Sequence, residues 1–191
     1  MRTIIATAFI SLDGVMQAPG GEPGYRNSGW TMSATEFDPA AYELKGSEQD
    51  EAGAMLLGRK SYQAFSGVWP TMTEEFPRYN AMDKYVVSTS LQPGDLVNNW
   101  GKTTLLRSAA DVARVRAEDG APLIIHGSGT LVHSLQEHQL IDRYHLLVFP
   151  VLLGAGLRLF SEADLDMQKL QLTAQATYPN GIQKQVFDVV R

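Results

Sequence analysis

Three short stretches carry the residue types best suited to hold a phosphorylated small molecule. Gly58-Arg59-Lys60-Ser61 follows the apolar run Ala54-Met55-Leu56-Leu57 and leads into a segment of helical character. A glycine there lets a ligand approach the backbone, the free amides of a helix start attract anions, and Arg59 can grip a phosphate through two parallel hydrogen bonds. Ser88-Thr89-Ser90 sets three hydroxyls after Lys84-Tyr85-Val86-Val87, and Gly127-Ser128-Gly129-Thr130-Leu131 follows Leu123-Ile124-Ile125-His126. Each alone is more often a plain turn. Together, at successive strand ends, they converge where open α/β sheets bind ligands.

Other chemistries are disfavoured by what is missing. The usual dinucleotide fingerprint needs a third small residue where this chain, counted from Gly129, has Val132. Neither a Walker sequence nor Gly-x-Ser-x-Gly occurs, which argues against ATP hydrolysis and removes the strongest sign of a serine hydrolase. There is no cysteine, hence no disulfide, thiolate metal site or cysteine nucleophile. His126, His133, His138 and His145 have no familiar zinc spacing, so no metal is expected. The acidic run Glu48, Asp50 and Glu51 reads as a solvated helix end.

Composition fits a small-molecule site on one domain. The chain has 191 residues, 44% hydrophobic and 19% charged, enough for one sizeable core under a soluble surface. Its 16 Lys and Arg against 21 Asp and Glu give a net charge of −5, with no basic cluster for a nucleic acid. The amino-terminal apolar stretch is too short for a secretory signal or a membrane span, so a cytoplasmic location is expected.

The elements that must position these residues can be read from periodicity. Strands are expected at Thr3 to Ile10, Ala54 to Leu57, Lys84 to Val87, Thr103 to Leu106, Leu123 to Ile125 and Arg143 to Val151. Helices are expected at Glu36 to Glu51, Arg59 to Phe65, Glu74 to Met82, Ala109 to Ala117 and Thr130 to Gln136. Pro179-Asn180-Gly181 between Leu170 to Tyr178 and Ile182 to Val190 is a hairpin signal. Strand and helix alternate before that hairpin, which predicts an α/β fold with a largely parallel sheet. The glycine-rich segment from Leu12 to Thr35 is expected to be a binding loop or lid, with Trp30 folding over a ligand.

The chain resembles the dihydrofolate reductase-like superfamily, and within it the reductase domain of bacterial bifunctional riboflavin-biosynthesis deaminase-reductases and their stand-alone relatives. The resemblance rests on Phe9-Ile10-Ser11-Leu12-Asp13-Gly14, on Leu57-Gly58-Arg59-Lys60-Ser61-Tyr62 with Trp69-Pro70, and on Val86-Val87-Ser88-Thr89-Ser90. It extends through Ile125-His126-Gly127-Ser128-Gly129-Thr130-Leu131 and Phe149-Pro150-Val151-Leu152-Leu153-Gly154. It implies a single three-layer α/β domain over 1–191, helices flanking a mostly parallel sheet, and NADPH as cofactor. By similarity, Gly58, Arg59, Lys60 and Ser61 with Ser88, Thr89 and Ser90 would hold the adenosine 2′-phosphate and ribose, and Arg107 would lie near the adenine. Gly127, Ser128, Gly129, Thr130 and Leu131 would cradle the pyrophosphate, with a cis peptide at Gly127-Ser128, and Val15 and Met16 would lie by the nicotinamide. Asp13, Trp30, Phe65, Trp69 and His126 are the substrate-binding candidates; Asp13, Asp50 and His126 are the candidate proton donors.

The resemblance implies hydride transfer to a small C=N or C=O compound, pterin- or pyrimidine-like, in a homodimer. Two departures bear on substrate. Leu147 stands where dihydrofolate reductases have a threonine beside the pterin-binding carboxylate, and His126 stands where the riboflavin enzymes commonly have Glu. A true dihydrofolate reductase and a non-catalytic NADP-binding protein are the alternatives.

Overall fold

In the computed structural model, which describes residues 1–191, eight strands build one sheet. They are β1 Ile4–Ser11, β2 Ala54–Gly58, β3 Asp83–Val87, β4 Thr103–Leu106, β5 Leu123–His126, β6 Arg143–Phe149, β7 Lys169–Thr177 and β8 Gln183–Val190. Their order is β4-β3-β2-β5-β1-β6-β8-β7. The first six strands run parallel, β8 is antiparallel to β6, and β7 is antiparallel to β8. The chain leaves β1, skips one place to β2, works outward to β4 and returns to insert β5 between β2 and β1. Such a reversal opens a crevice at the carboxyl ends of the strands.

Six α-helices accompany the sheet: α1 Trp30–Ser33, α2 Pro39–Glu51, α3 Arg59–Ser66, α4 Pro77–Ala81, α5 Ala109–Ala117 and α6 Gly129–Glu137. The period of two along β1 sends Ile4, Ala6, Ala8 and Ile10 to one face, where they meet Val112 and Val115 of α5 and Leu131, Val132 and Leu135 of α6. On the other face Ile5, Met55 and Leu57 pack against Tyr62 of α3 and Tyr79 of α4. Ala41 and Leu44 of α2 cover Leu147 and Phe149 on that side. Covering both faces explains why β1 and β2 are almost continuously apolar rather than alternating. The expected three layers and closing hairpin are present.

Several expectations need correction. The helix after the first loop starts at Pro39, not Glu36, because Asp38 accepts a hydrogen bond from the Ala40 amide at 3.0 Å and proline suits the first helical position. The helix expected from Glu74 shrinks to Pro77–Ala81. Strand β6 stops at Phe149 because Pro150 has no N–H to continue a ladder. The Leu12 to Thr35 segment is not structureless. It contains α1, and Trp30 Nε1 donates to the Gln17 carbonyl at 2.9 Å while Thr31 Oγ1 donates to that of Pro19 at 2.6 Å. Trp30 itself is buried, edge-on to Phe149 with ring centroids 5.2 Å apart.

Candidate functional site

Strand register sets the first half of the site. Gly58 pairs with Val87, and Val87 with Leu106, so Arg59, Ser88 and Arg107 are the next residues along three adjacent strands. Neighbouring strands lie about 4.8 Å apart, which gathers these residues within one small ligand's reach. On the other side of β2, the Gly58 amide donates to Ser128 Oγ at 2.9 Å. A Cβ on Gly127 would lie 3.4 Å from Ser61 Oγ. The starts of α3 and α6 therefore sit side by side.

Among the four helices of eight residues or more, capping separates these two from α2 and α5. Asp38 caps α2, and Ser108 caps α5 by accepting from the Asp111 amide at 3.2 Å. Neither α3 nor α6 has a side-chain cap. Each helix start leaves amides without an intrahelical acceptor and carries the positive end of the helix dipole. Two adjacent uncapped starts could hold an anion. The glycine turn reaches it by a different backbone from the one expected: no peptide is cis, and Gly127 and Ser128 take positive φ of 60° and 61°. Left-handed geometry at a serine is uncommon; here it aims Ser128 Oγ at the Gly58 amide.

The remaining cofactor candidates divide by what they already do. Arg59 and Lys60 are exposed and have no carboxylate partner, and Thr89, Ser90 and Thr130 are exposed. Ser88 is buried, and its hydroxyl accepts from the amides of Ser90 and Leu91 at 3.2 and 3.0 Å. Arg107 donates to the Ser88 and Leu91 carbonyls, both at 2.7 Å, so its guanidinium braces the loop that ends β3. Leu131 and Val15 are buried. Met16 lies over the start of α6: a Cβ on Gly129 would come 3.0 Å from Met16 Sδ and 2.7 Å from Leu157 Cδ2.

Beside the turn, the sheet buries a polar cluster absent from the sequence-based site. Glu48, read as solvated, is fully buried. It falls on the inward face because Ala41, Leu44 and Glu48 recur at spacings of three and four, a signal available in the sequence. Glu48 Oε1 accepts from Thr7 Oγ1 at 2.6 Å, from His145 Nδ1 at 3.1 Å and from Lys45 Nζ at 3.4 Å. Lys45 also donates to Thr7 Oγ1 and lies 4.9 Å from the centre of the Phe9 ring. Burial works to raise the Glu48 carboxyl, but the Lys45 charge and the hydrogen bonds hold it down to about 2. Burial lowers Lys45, against the pull of Glu48. The two side chains form a salt bridge inside the fold.

His126 joins this cluster to the crevice. Its Nε2 lies 2.7 Å from Tyr79 Oη and 3.8 Å from Glu48 Oε2. Burial pushes its imidazole down to about 4, overriding the Glu48 charge, so the ring is neutral near pH 7. Phe65 and Trp69 stand beside it as an aromatic wall. Trp69 is stacked between Phe65 and Phe76, each at 4.4 Å, and meets the His126 ring edge-on at 5.7 Å.

Three other candidates lie elsewhere. Trp30 is in the core beneath α2. Asp50 is exposed and paired with Arg78 at 2.9 Å. Asp13 accepts from Ser11 Oγ at 2.6 Å and from the amides of Leu153 and Gly154 at 3.1 and 2.7 Å. The Ser11 hydroxyl, with those amides, overcomes burial and holds Asp13 down to about 2, so it anchors the strand end and holds no proton at neutral pH.

The profile of the RibD C-terminal domain matches residues 2–184. The chain belongs to the RibD C-terminal domain family. The uncharacterised YyaP of Bacillus subtilis strain 168 is similar at 22% identity, over 97% of this chain and 94% of that protein. Among solved structures, a candidate riboflavin biosynthesis protein of Shewanella sp. PV-4 superposes with a TM-score of 0.74 at 17% identity, over 99% of both chains. The dihydrofolate reductase of Enterococcus faecalis, solved with NADP(H), superposes with a TM-score of 0.62 at 14% identity, over 99% of this chain and 97% of that one. The fold is therefore dihydrofolate reductase-like. No helix is long and apolar enough to cross a membrane.

Proposed function

We propose that this protein is an NADPH-dependent reductase of a small C=N or C=O compound with a pyrimidine- or pterin-like ring. The observation that carries the reading is the pair of adjacent uncapped helix starts at α3 and α6, flanked by the unpaired Arg59 and Lys60. These residues fit a dinucleotide. The amides of Gly129, Thr130 and Leu131 would hold the pyrophosphate, Gly127 adds no side chain beside it, and Arg59 with Lys60, Thr89 and Ser90 would hold the 2′-phosphate. Ser88 and Arg107 shape that pocket through its backbone. When bound, the cofactor supplies the hydride. The chain's own part is to orient the two partners and exclude water, through Met16 above the α6 start and the Phe65–Trp69 wall beside His126.

Arg59→Ala tests the reading. Loss of a charge-assisted hydrogen bond should weaken NADPH by about 2 kcal/mol or more and leave NADH nearly unchanged. Equal losses for both cofactors in calorimetric titration would refute the 2′-phosphate assignment.

The same reading takes the protein as a cytoplasmic homodimer. Strand β7 ends the sheet and is exposed along nearly its whole length, with Leu170 37% and Leu172 44% accessible. A long exposed edge strand needs covering, and a second copy supplies a self-complementary one. Light scattering should give twice the chain's 21.0 kDa; a mass equal to one chain would refute the dimer.

A further inference from the structure

Tyr79 raises a question that reduction alone does not answer. Its side chain is 1% exposed, and its hydroxyl has a single partner in the fold, His126 Nε2 at 2.7 Å. A buried phenol whose proton has no acceptor is costly. Burial, reinforced by the nearby Glu48 charge, raises Tyr79 above the usual phenol range, so it keeps its proton. A neutral imidazole has one N–H and one acceptor nitrogen. If Tyr79 donates to Nε2, the His126 proton must reside on Nδ1.

We propose that Tyr79 is a positioning residue that fixes His126 as its Nδ1–H tautomer, turning that N–H to the crevice as a neutral hydrogen-bond donor for the compound being reduced. The proposal rests on the reductase reading and names the polar group of that site. Nδ1 makes no hydrogen bond to the protein. The only buried side-chain nitrogen and oxygen atoms without a partner are Gln49 Oε1 and Thr103 Oγ1, so Nδ1 opens to solvent. Glu48 does not set the tautomer: its Oε2 is 3.8 Å from Nε2, beyond hydrogen-bonding distance, and its Oε1 is taken by Thr7 and His145. The edge contacts of His126 with Trp69 at 5.7 Å and Tyr79 at 4.8 Å hold the ring plane.

The arrangement defines a substrate class. The compound must present an acceptor, a carbonyl oxygen or an unprotonated ring nitrogen, towards Nδ1–H. A protonated amidine-type ring needs a carboxylate with spare charge. The nearest carboxylate, Glu48, is already compensated by Lys45.

Nitrogen-15-labelled histidine spectra near neutral pH test this without any substrate. The His126 signals are assigned by their loss in His126→Gln, and each tautomer has its own pattern of couplings to the ring protons. The expected result is an Nδ1–H pattern in the wild type that gives way to Nε2–H in Tyr79→Phe, since Nε2–H then faces the Glu48 carboxylate. An Nε2–H wild type, or a pattern unchanged in Tyr79→Phe with unaltered urea midpoint, would overturn the proposal. NADPH titration of the same samples separates the two readings: intact binding with the wrong tautomer defeats the Tyr79 role alone. The expected tautomers without NADPH binding defeat the cofactor reading and leave the Tyr79 role standing.

Discussion

Replacing His126 by glutamine should change how the protein responds to acid. In the unfolded chain the imidazole takes up a proton near its ordinary value of 6.5, whereas in the fold burial delays protonation to about 4. Between those values the unfolded chain binds more protons, so stability falls as pH falls through the window. At about 1.4 kcal/mol per pH unit, the whole window is worth about 3 kcal/mol. His126 is only 16% exposed, so solvent screening removes little of this. Glutamine keeps a polar partner for Tyr79 and has no proton to gain. The groups facing His126 are Glu48, Tyr79, Lys45 and His145; Glu48 titrates between its ordinary 4.5 and about 2, largely below this window. Urea unfolding followed by tryptophan fluorescence, at neutral pH and at about pH 4.5, measures the difference. The wild type should lose about 2 to 3 kcal/mol more than His126→Gln between those conditions. Parallel losses in the two proteins would refute the buried, neutral imidazole.

Other consequences follow from particular contacts. Lys45→Met leaves Glu48 buried without its cation and should cost about 3 to 5 kcal/mol in urea unfolding at neutral pH; a loss below about 1 kcal/mol would show that Glu48 is solvated after all. Trp30→Ala should cost about 3 kcal/mol or more, because Trp30 is a core residue packed on Phe149. A near-neutral effect on stability with weakened ligand binding would restore the lid assignment. Gly101 has φ of 64°, and a Cβ there would lie 2.7 Å from the Met82 carbonyl oxygen, so Gly101→Ala should lower stability by about 2 kcal/mol or more. Unchanged thermal unfolding would contradict that geometry.

Most of the fold was legible because its signals are local. The bounds of β4 and α5 are those the periodicity predicts, and Asn180-Gly181 marks the hairpin where it occurs. The placing of the glycine- and hydroxyl-bearing turns at the ends of β2, β3 and β5 was legible too, since such residues break a strand where they stand. The polar cluster was not, because Thr7, Lys45, Glu48, Tyr79, His126 and His145 come from five separate elements and touch only through the tertiary fold. Glu48 shows the limit most clearly: its charge argued for solvent while its spacing with Ala41 and Leu44 argued for the core, and packing decided. Asp13 and Arg107 stand out in the sequence as charged residues after apolar strands. Their hydrogen-bonding capacity goes to the backbone of Leu153, Gly154, Ser88 and Leu91, which only the folded arrangement reveals.

The central claim is that NADPH seats on the two uncapped helix starts, and backbone amide chemical shifts during an NADPH titration test it most directly. The largest shifts should fall on the amides of Arg59, Lys60 and Ser61 and of Gly129, Thr130 and Leu131, with that of Ala40, in the capped α2, unmoved. Absence of saturable shifts, or shifts centred away from both turns, would contradict the account.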